Sequence, residues 1–345
     1  MGTFAEKLDI FFNNYCNENN FFGSLRVTHK SEILYERRVG YGNIETKEPI
    51  KKDSVFTLYS ISKPFCTLGL LKLYDRGVVD IDKHPGEYVN EAKRLDNTLK
   101  IRHLLHHISG LPDFLQTPEF VKKYSPGIPE RIRNHLDILQ DYPMKFKPGS
   151  NTMYENINFN ICALICENIT GFSYSEYMQN EVFIPLGMKT AYIDNGQFCA
   201  KKVMGHVIED RKITATEPVY DWMMGAGDVA GTVDDVYCLN KAINEKLILK
   251  NETWDMVLST PPINGFGMGC IVEKHDGKVK ITHNGGNRGF RTIHILFPED
   301  DFDIILLSNC DWVDGRHYIA NTIYDMYYNV ISEKKLQPEF DKGYI

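Results

Sequence analysis

Stretches of alternating apolar and polar residues lie near both ends of this chain, and a long span of helical patterning separates them. Residues 23–30 and 32–41 alternate around a short turn at Lys30-Ser31, a hairpin signal. Residues 266–274 and 278–283 flank Asp276-Gly277, a strong two-residue turn, and residues 291–297 and 302–308 form a further hairpin. Val55–Tyr59 is a brief β-like run leading straight into an apolar helix over 62–76, stopped by Gly77. Other helices are predicted over 99–108 before Gly110, 159–170 before Gly171 and 174–183 before Pro185. Amphipathic helices over 5–17 and 317–331 lie at the ends, and one starting at Asp234-Asp235 runs through Ala242. At roughly 150 residues per domain, 345 residues suggest two lobes. The expected class is α+β, an antiparallel sheet flanked by helices with an inserted, mostly helical lobe. The sheet lobe takes residues 1–80 and 205–345 with the terminal helices, the helical lobe takes residues 81–204, and a cleft lies between them.

Thirty-nine Lys and Arg against 46 Asp and Glu give a formal charge of −7. That balance argues against a nucleic-acid partner, which needs a basic stripe. No stretch approaches the ~20 apolar residues of a membrane span. Glu6, Lys7 and Asp9 break any apolar segment at the N-terminus, and Glu6 stands where a myristoylation pattern wants Ser or Thr. The eight cysteines form no C-x-x-C pair and are expected as buried, reduced thiols. A cytoplasmic protein acting on a small molecule, without cofactor, nucleic acid or membrane, is the expectation; the oligomeric state is left open.

Ser60-Ile61-Ser62-Lys63 has the S-x-x-K spacing. A serine hydroxyl is a poor nucleophile until a neighbour takes its proton, and helical residues three apart share a face. The bare spacing is weak: Ser332-Glu333-Lys334-Lys335 has it too, in a charged tail. Ser60 differs by standing at a strand-to-helix junction, on a helix too apolar to leave Lys63 unpaired. Tyr154-Glu155-Asn156 is a Y-x-N triplet, but Tyr15, Tyr41, Tyr88 and Tyr327 begin others. His283-Asn284-Gly285 is H-x-G, as are the triplets at His84 and His275. Taken singly, a core tyrosine, a turn asparagine and a strand histidine explain these residues as well. His103, His106 and His107 share i, i+3, i+4 spacing, but no H-E-x-x-H glutamate accompanies them, so no metal is expected.

Order, spacing and flanks together give more. Phe56–Lys63, Ile101–Asp113 (IRHLLHHISGLPD), Phe146–Gly149 followed by Tyr154–Asn156, Pro185–Met188, Gly225–Asp228 and His283–Gly286 resemble successive signatures of one family. That family is the class C β-lactamase and penicillin-binding-protein-like serine hydrolases, related to DD-peptidases and esterases. The resemblance implies the β-lactamase/DD-peptidase-like fold and an acyl-enzyme at Ser60. Tyr154 would be the general base, lowered by cationic Lys63 and His283, with Lys63 sharing the proton work. Asn156 would orient Lys63 and a substrate amide, and the N–H groups of Ser60 and Gly286 would form an oxyanion hole. Gly285 and Gly286 would let a substrate approach the strand edge; Arg288 or Arg291 would form a surface salt bridge or, as the alternative, meet a substrate carboxylate. Trp222 would either line the cleft or be buried without touching substrate. Asp228 stands where relatives usually carry glycine, and either a narrowed cleft or a cationic substrate group would follow. An esterase or D-residue peptidase fits best, with acylation by β-lactams compatible. The alternatives are a β-lactamase or DD-carboxypeptidase proper, or an acylated penicillin-binding sensor with little turnover.

Overall fold

The hairpins from the two ends of the chain meet in one antiparallel sheet. Its six strands run in the order Ile271–His275, Lys278–Asn287, Phe290–Phe297, Phe302–Ser308, Gly23–His29, Glu32–Val39. The computed structural model describes residues 3–112, 128–210, 212–216, 223–312 and 314–328. Gly23 pairs with Ser308, Leu25 with Leu306 and Val27 with Ile304, so the N-terminal hairpin completes the C-terminal meander. Both two-residue turns take left-handed φ values: 48° and 64° at Lys30 and Ser31, 49° and 82° at Asp276 and Gly277. Such turns match the twist of the strands they join.

Alternation sends each strand's side chains to both faces, and each face is covered. On one, helices Phe4–Asn19 and Arg316–Tyr328 pack together, with Phe4 and Tyr327 5.5 Å apart and Tyr327 stacked 4.3 Å from Phe302. On the other lies Val233–Asn244, whose Asp234 pairs with Arg26 and whose Asn240 meets His294 Nδ1 at 2.7 Å. Thr232 and Asp235 cap this helix reciprocally. Helix Ser62–Asp75 is buried on nearly every side and packs on Ile157–Thr170. A small sheet of Phe56–Thr57, Val229–Gly231 and Tyr192–Ile193 ties the segment before Ser60 to the rest.

Several elements depart from the patterning. The helix expected over 99–108 spans only Ile101–Leu105. Residues 152–153 and 264 take the next carbonyls: Asn264 Nδ2 bonds His106 O, and Met153 N and Thr152 Oγ1 bond His107 O. Strand Lys278–Asn287 runs four residues past the expected end, and its neighbour begins only at Ile271. Tyr174–Met178 is α-helical, and a π-type turn over Gln179–Phe183 finishes the segment. Of the cysteines, Cys199 and Cys238 are half-exposed, the other six are buried, and all eight are free thiols. Among the described residues no helix is long and apolar enough to cross a membrane.

Candidate active site

Ser60 sits in a 3-10 turn, Tyr59–Ile61, placed directly before helix Ser62–Asp75. Tyr59 is buried with φ of 49°, an unfavourable conformation for a bulky residue. Its surroundings hold it there. Leu58 N donates to Val229 O at 2.9 Å, Thr292 Oγ1 donates to Leu58 O at 2.9 Å, and the Tyr59 ring lies 5.7 Å from Phe290. The serine is thereby fixed by contacts to strands from distant parts of the chain.

One helical turn on, Lys63 has no exposed surface. Its Nζ lies 3.1 Å from Ser60 Oγ, 2.9 Å from Asn156 Oδ1 and 2.7 Å from Ala226 O. Burial pushes the ammonium down to about 7, countered by Cys66 and by the Asp228 carboxyl. Two of the three partners are carbonyl oxygens that can only accept, so they claim two N–H bonds. The remaining tetrahedral position points at Ser60 Oγ, and in the neutral amine it is a lone pair.

The Tyr154 phenol lies close enough to Ser60 for the serine to favour its ionised form. Its ring carries Lys63 Nζ 4.7 Å from the centroid and stacks on His107 at 4.3 Å and 25°. Burial pushes the phenol upward in spite of the Ser60 contact, so the tyrosine is a neutral phenol at ordinary pH. That differs from the cation-lowered tyrosine expected from sequence. His283 supplies no positive charge either. It is 1% exposed, and burial together with Lys63 lowers its imidazole to about 3. Its Nδ1 donates to Asn284 O at 2.6 Å, which leaves Nε2 as an acceptor; its ring lies 6.1 Å from Tyr154.

Strand Lys278–Asn287 pairs with Phe290–Phe297 along 281–287, but with Ile271–His275 only along 278–282. Residues 283–287 therefore present an unpaired ladder edge beside the Tyr59–Ile61 turn. A Cβ on Gly285 would meet Leu58 O at 2.1 Å, so only glycine allows the strand this close to the serine segment. Gly286 is exposed, and a Cβ there would find nothing nearer than 3.4 Å.

Ser60, Lys63, Tyr154, Asn156, His283, Gly285 and Gly286 thus converge. Arg288 does not join them: it is exposed and ion-paired with Glu209. Arg291 bonds the carbonyls of Asn287 and Phe290. Trp222 and the Ser332–Lys335 repeat of the serine-lysine spacing lie outside the described residues. The three histidines diverge because the helix stops at Leu105. His106 Nδ1 meets Phe266 O at 3.0 Å, His103 Nδ1 accepts from Lys100 N, and His107 packs under Tyr154. No group of three or more His, Cys, Asp or Glu among the described residues is arranged to hold a metal ion. Asp228 is 4% exposed with Oδ2 accepting from Gly225 N at 3.0 Å, so it neither narrows the cleft nor faces substrate. The Ala226 carbonyl, a main-chain atom, had no sequence signal; His107 had its place in the IRHLLHH segment and in the histidine spacing, neither of which pointed to a ring stacked on Tyr154.

A family model described as beta-lactamase matches residues 23–321. The chain belongs to the beta-lactamase family. Penicillin-binding protein 4* of Bacillus subtilis (strain 168) is 26% identical over 324 residues, covering 88% of this chain and 71% of that protein. Further curated relatives are longer: the chain spans 63% of the Staphylococcus aureus protein flp. Two solved structures share the fold. The octameric penicillin-binding protein homologue from Pyrococcus abyssi gives a TM-score of 0.84 at 22% identity, over 94% of this chain and 77% of that one. The D-amino acid amidase from Ochrobactrum anthropi SV3 gives 0.77 at 20% identity, over 94% and 99%. Family membership and fold agree with what the signatures implied, and the family's fold is one of serine hydrolases.

Proposed function

We propose that the protein is a serine hydrolase that acylates Ser60 and acts on an ester or small amide. The observation that carries this is the buried Lys63 amine, with two N–H bonds spent on fixed carbonyls and its third position aimed at the Ser60 hydroxyl. In the acylation step Lys63 Nζ takes the Ser60 proton as Oγ bonds the substrate carbonyl carbon. The oxyanion is received by the N–H groups of Ser60 and Gly286; one such donor is typically worth ~10²–10³ in rate. As the tetrahedral adduct collapses, the bond to the leaving group breaks. Tyr154, beside Ser60, gives that group its phenolic proton and regains one from Lys63. Water, deprotonated by the same amine, then releases the acyl group as acid and restores Ser60. Asn156 holds the amine in place, and neutral His283 offers Nε2 as an acceptor beside Tyr154.

The resemblance to the D-amino acid amidase and to penicillin-binding proteins supports small amides and esters as substrates, with β-lactams as acylating agents. The test mixes the protein with a chromogenic ester and, separately, with a labelled penicillin. A burst followed by steady turnover of the ester, abolished in Ser60→Ala, is expected. A stoichiometric burst that stops would make the protein a sensor, and steady turnover that survives in Ser60→Ala would overturn the mechanism.

A further inference from the structure

The segment Met223–Asp228 reaches the site only through its main chain, yet it holds one of the three acceptors around Lys63. The Ala226 carbonyl receives Lys63 Nζ at 2.7 Å. Its direction is fixed by a compact turn: Ala226 N and Gly227 N both bond Met223 O, at 2.7 and 2.8 Å. Asn160 Nδ2 grips Met224 O at 2.6 Å from helix Ile157–Thr170. Gly225, at φ 71°, is wedged so tightly that a Cβ would lie 2.6 Å from Phe159 O and 3.1 Å from Cys66 Sγ. Asp228 closes the turn. Its Oδ2 accepts from Gly225 N at 3.0 Å, its own carbonyl accepts from Asp194 N, and its Oδ1 is buried without a hydrogen-bond partner. A buried carboxyl with one orphaned oxygen is costly, where an asparagine or serine would make the same turn contact without a charge. What a carboxylate adds here is a negative charge that acts through space on the ammonium form of Lys63.

We propose that Asp228 is a positioning residue for Lys63: it aims the Ala226 carbonyl at Nζ and, when ionised, holds the proton on the amine. This rests on Lys63 being the proton acceptor for Ser60. The other groups around the pair are constant near neutral pH. Cys66, on the same helix, is raised by burial to about 12, and Tyr174 and Tyr154 are raised by burial. His107 and His283 are both lowered by burial and neutral. Asp194 is paired with Lys202 at 2.5 Å. Asp228 itself is raised by burial to about 7, so it changes charge in the range where Lys63 does.

The experiment is the pH dependence of kcat/KM for a non-ionisable ester in the wild type, Asp228→Asn and Asp228→Ser, each first shown folded by near-UV circular dichroism. Both replacements keep an acceptor for Gly225 N and remove the charge. The expected result is a limb whose upper part moves to lower pH, because the wild-type carboxyl is ionised and holds the proton on Lys63 only at and above about pH 7; relative to each variant's plateau the rate rises at pH 7 to 8 and is little changed at pH 6. A merely structural role would lower the plateau without moving the limb. A limb that stays at the wild-type position, or failure of both variants to fold, overturns the proposal. Ser60→Ala, run alongside, separates the two claims. If it remains active, the Ser60–Lys63 mechanism fails; if it is dead and the limb is unmoved, only the part given to Asp228 fails.

Discussion

Lys63 is the residue on which the site turns, because it is fully buried and none of its three close partners is a carboxylate. Its folded value near 7 lies well below the ordinary lysine value of 10.5. Raising the pH through 7 therefore converts it from ammonium to free amine, and kcat/KM should rise along a limb centred there. A pH–rate profile with its acidic limb near 4 to 5 would assign the base to a carboxylate instead. The same depression makes charged Lys63 a burden on the folded state: stability contributed by this group increases from pH 7 toward 10.5 and is at its least below 7. Lys63→Met should reduce acylation on the order of 10²–10⁴-fold, measured as the burst rate with a labelled penicillin. Sequence brought Ser60, Lys63, Tyr154, Asn156 and His283 together, since the side-chain types and their order carry the signatures. It did not separate Lys63 from Tyr154 as the base. The proposal that the base is Lys63 draws on the complete burial of its amine and on a carbonyl at residue 226, and neither is written in local spacing.

At the level of elements, the unpaired edge of strand Lys278–Asn287 and the turn holding Ser60 must stay in register with one another. Gly285→Ala should disrupt both, because its Cβ meets a main-chain oxygen at 2.1 Å and the strand must shift away from Leu58. The expected outcome is a lowered melting temperature together with a large loss of acylation. Gly286→Ala, with 3.4 Å to its nearest neighbours, should keep the wild-type melting temperature. Equal melting temperatures for the two variants would show that the close approach at 285 does not matter. Hairpins were legible to within a few residues because Asp276-Gly277 and Lys30-Ser31 punctuate them. The short Ile101–Leu105 helix was not, since residues 152–153 and 264 draw the following carbonyls out of the ladder, and such long-range competitors leave no local mark.

Across the whole molecule, strands from residues 23–39 and 271–308 form one sheet, so neither end has a complete core of its own. Leu25 is fully buried opposite Leu306 on the neighbouring strand. Leu25→Ala should cost ~2–5 kcal/mol. Calorimetry should show that loss as a single transition shifted down, with activity lost over the same temperatures. Two separated transitions would mean that the ends fold independently. The interleaving was foreshadowed by strand patterning at both ends, but the joining of Gly23–His29 to Phe302–Ser308 follows only from which faces must be covered. The proposition beneath all three scales is that a neutral, buried Lys63 makes Ser60 the acylated residue. Quenched-flow labelling with a penicillin between pH 5 and 9, followed by peptide mass mapping, tests it most directly. The label should reside on the peptide containing Ser60, at a rate that climbs through pH 7; label on another residue, or a rate flat across that range, would contradict it.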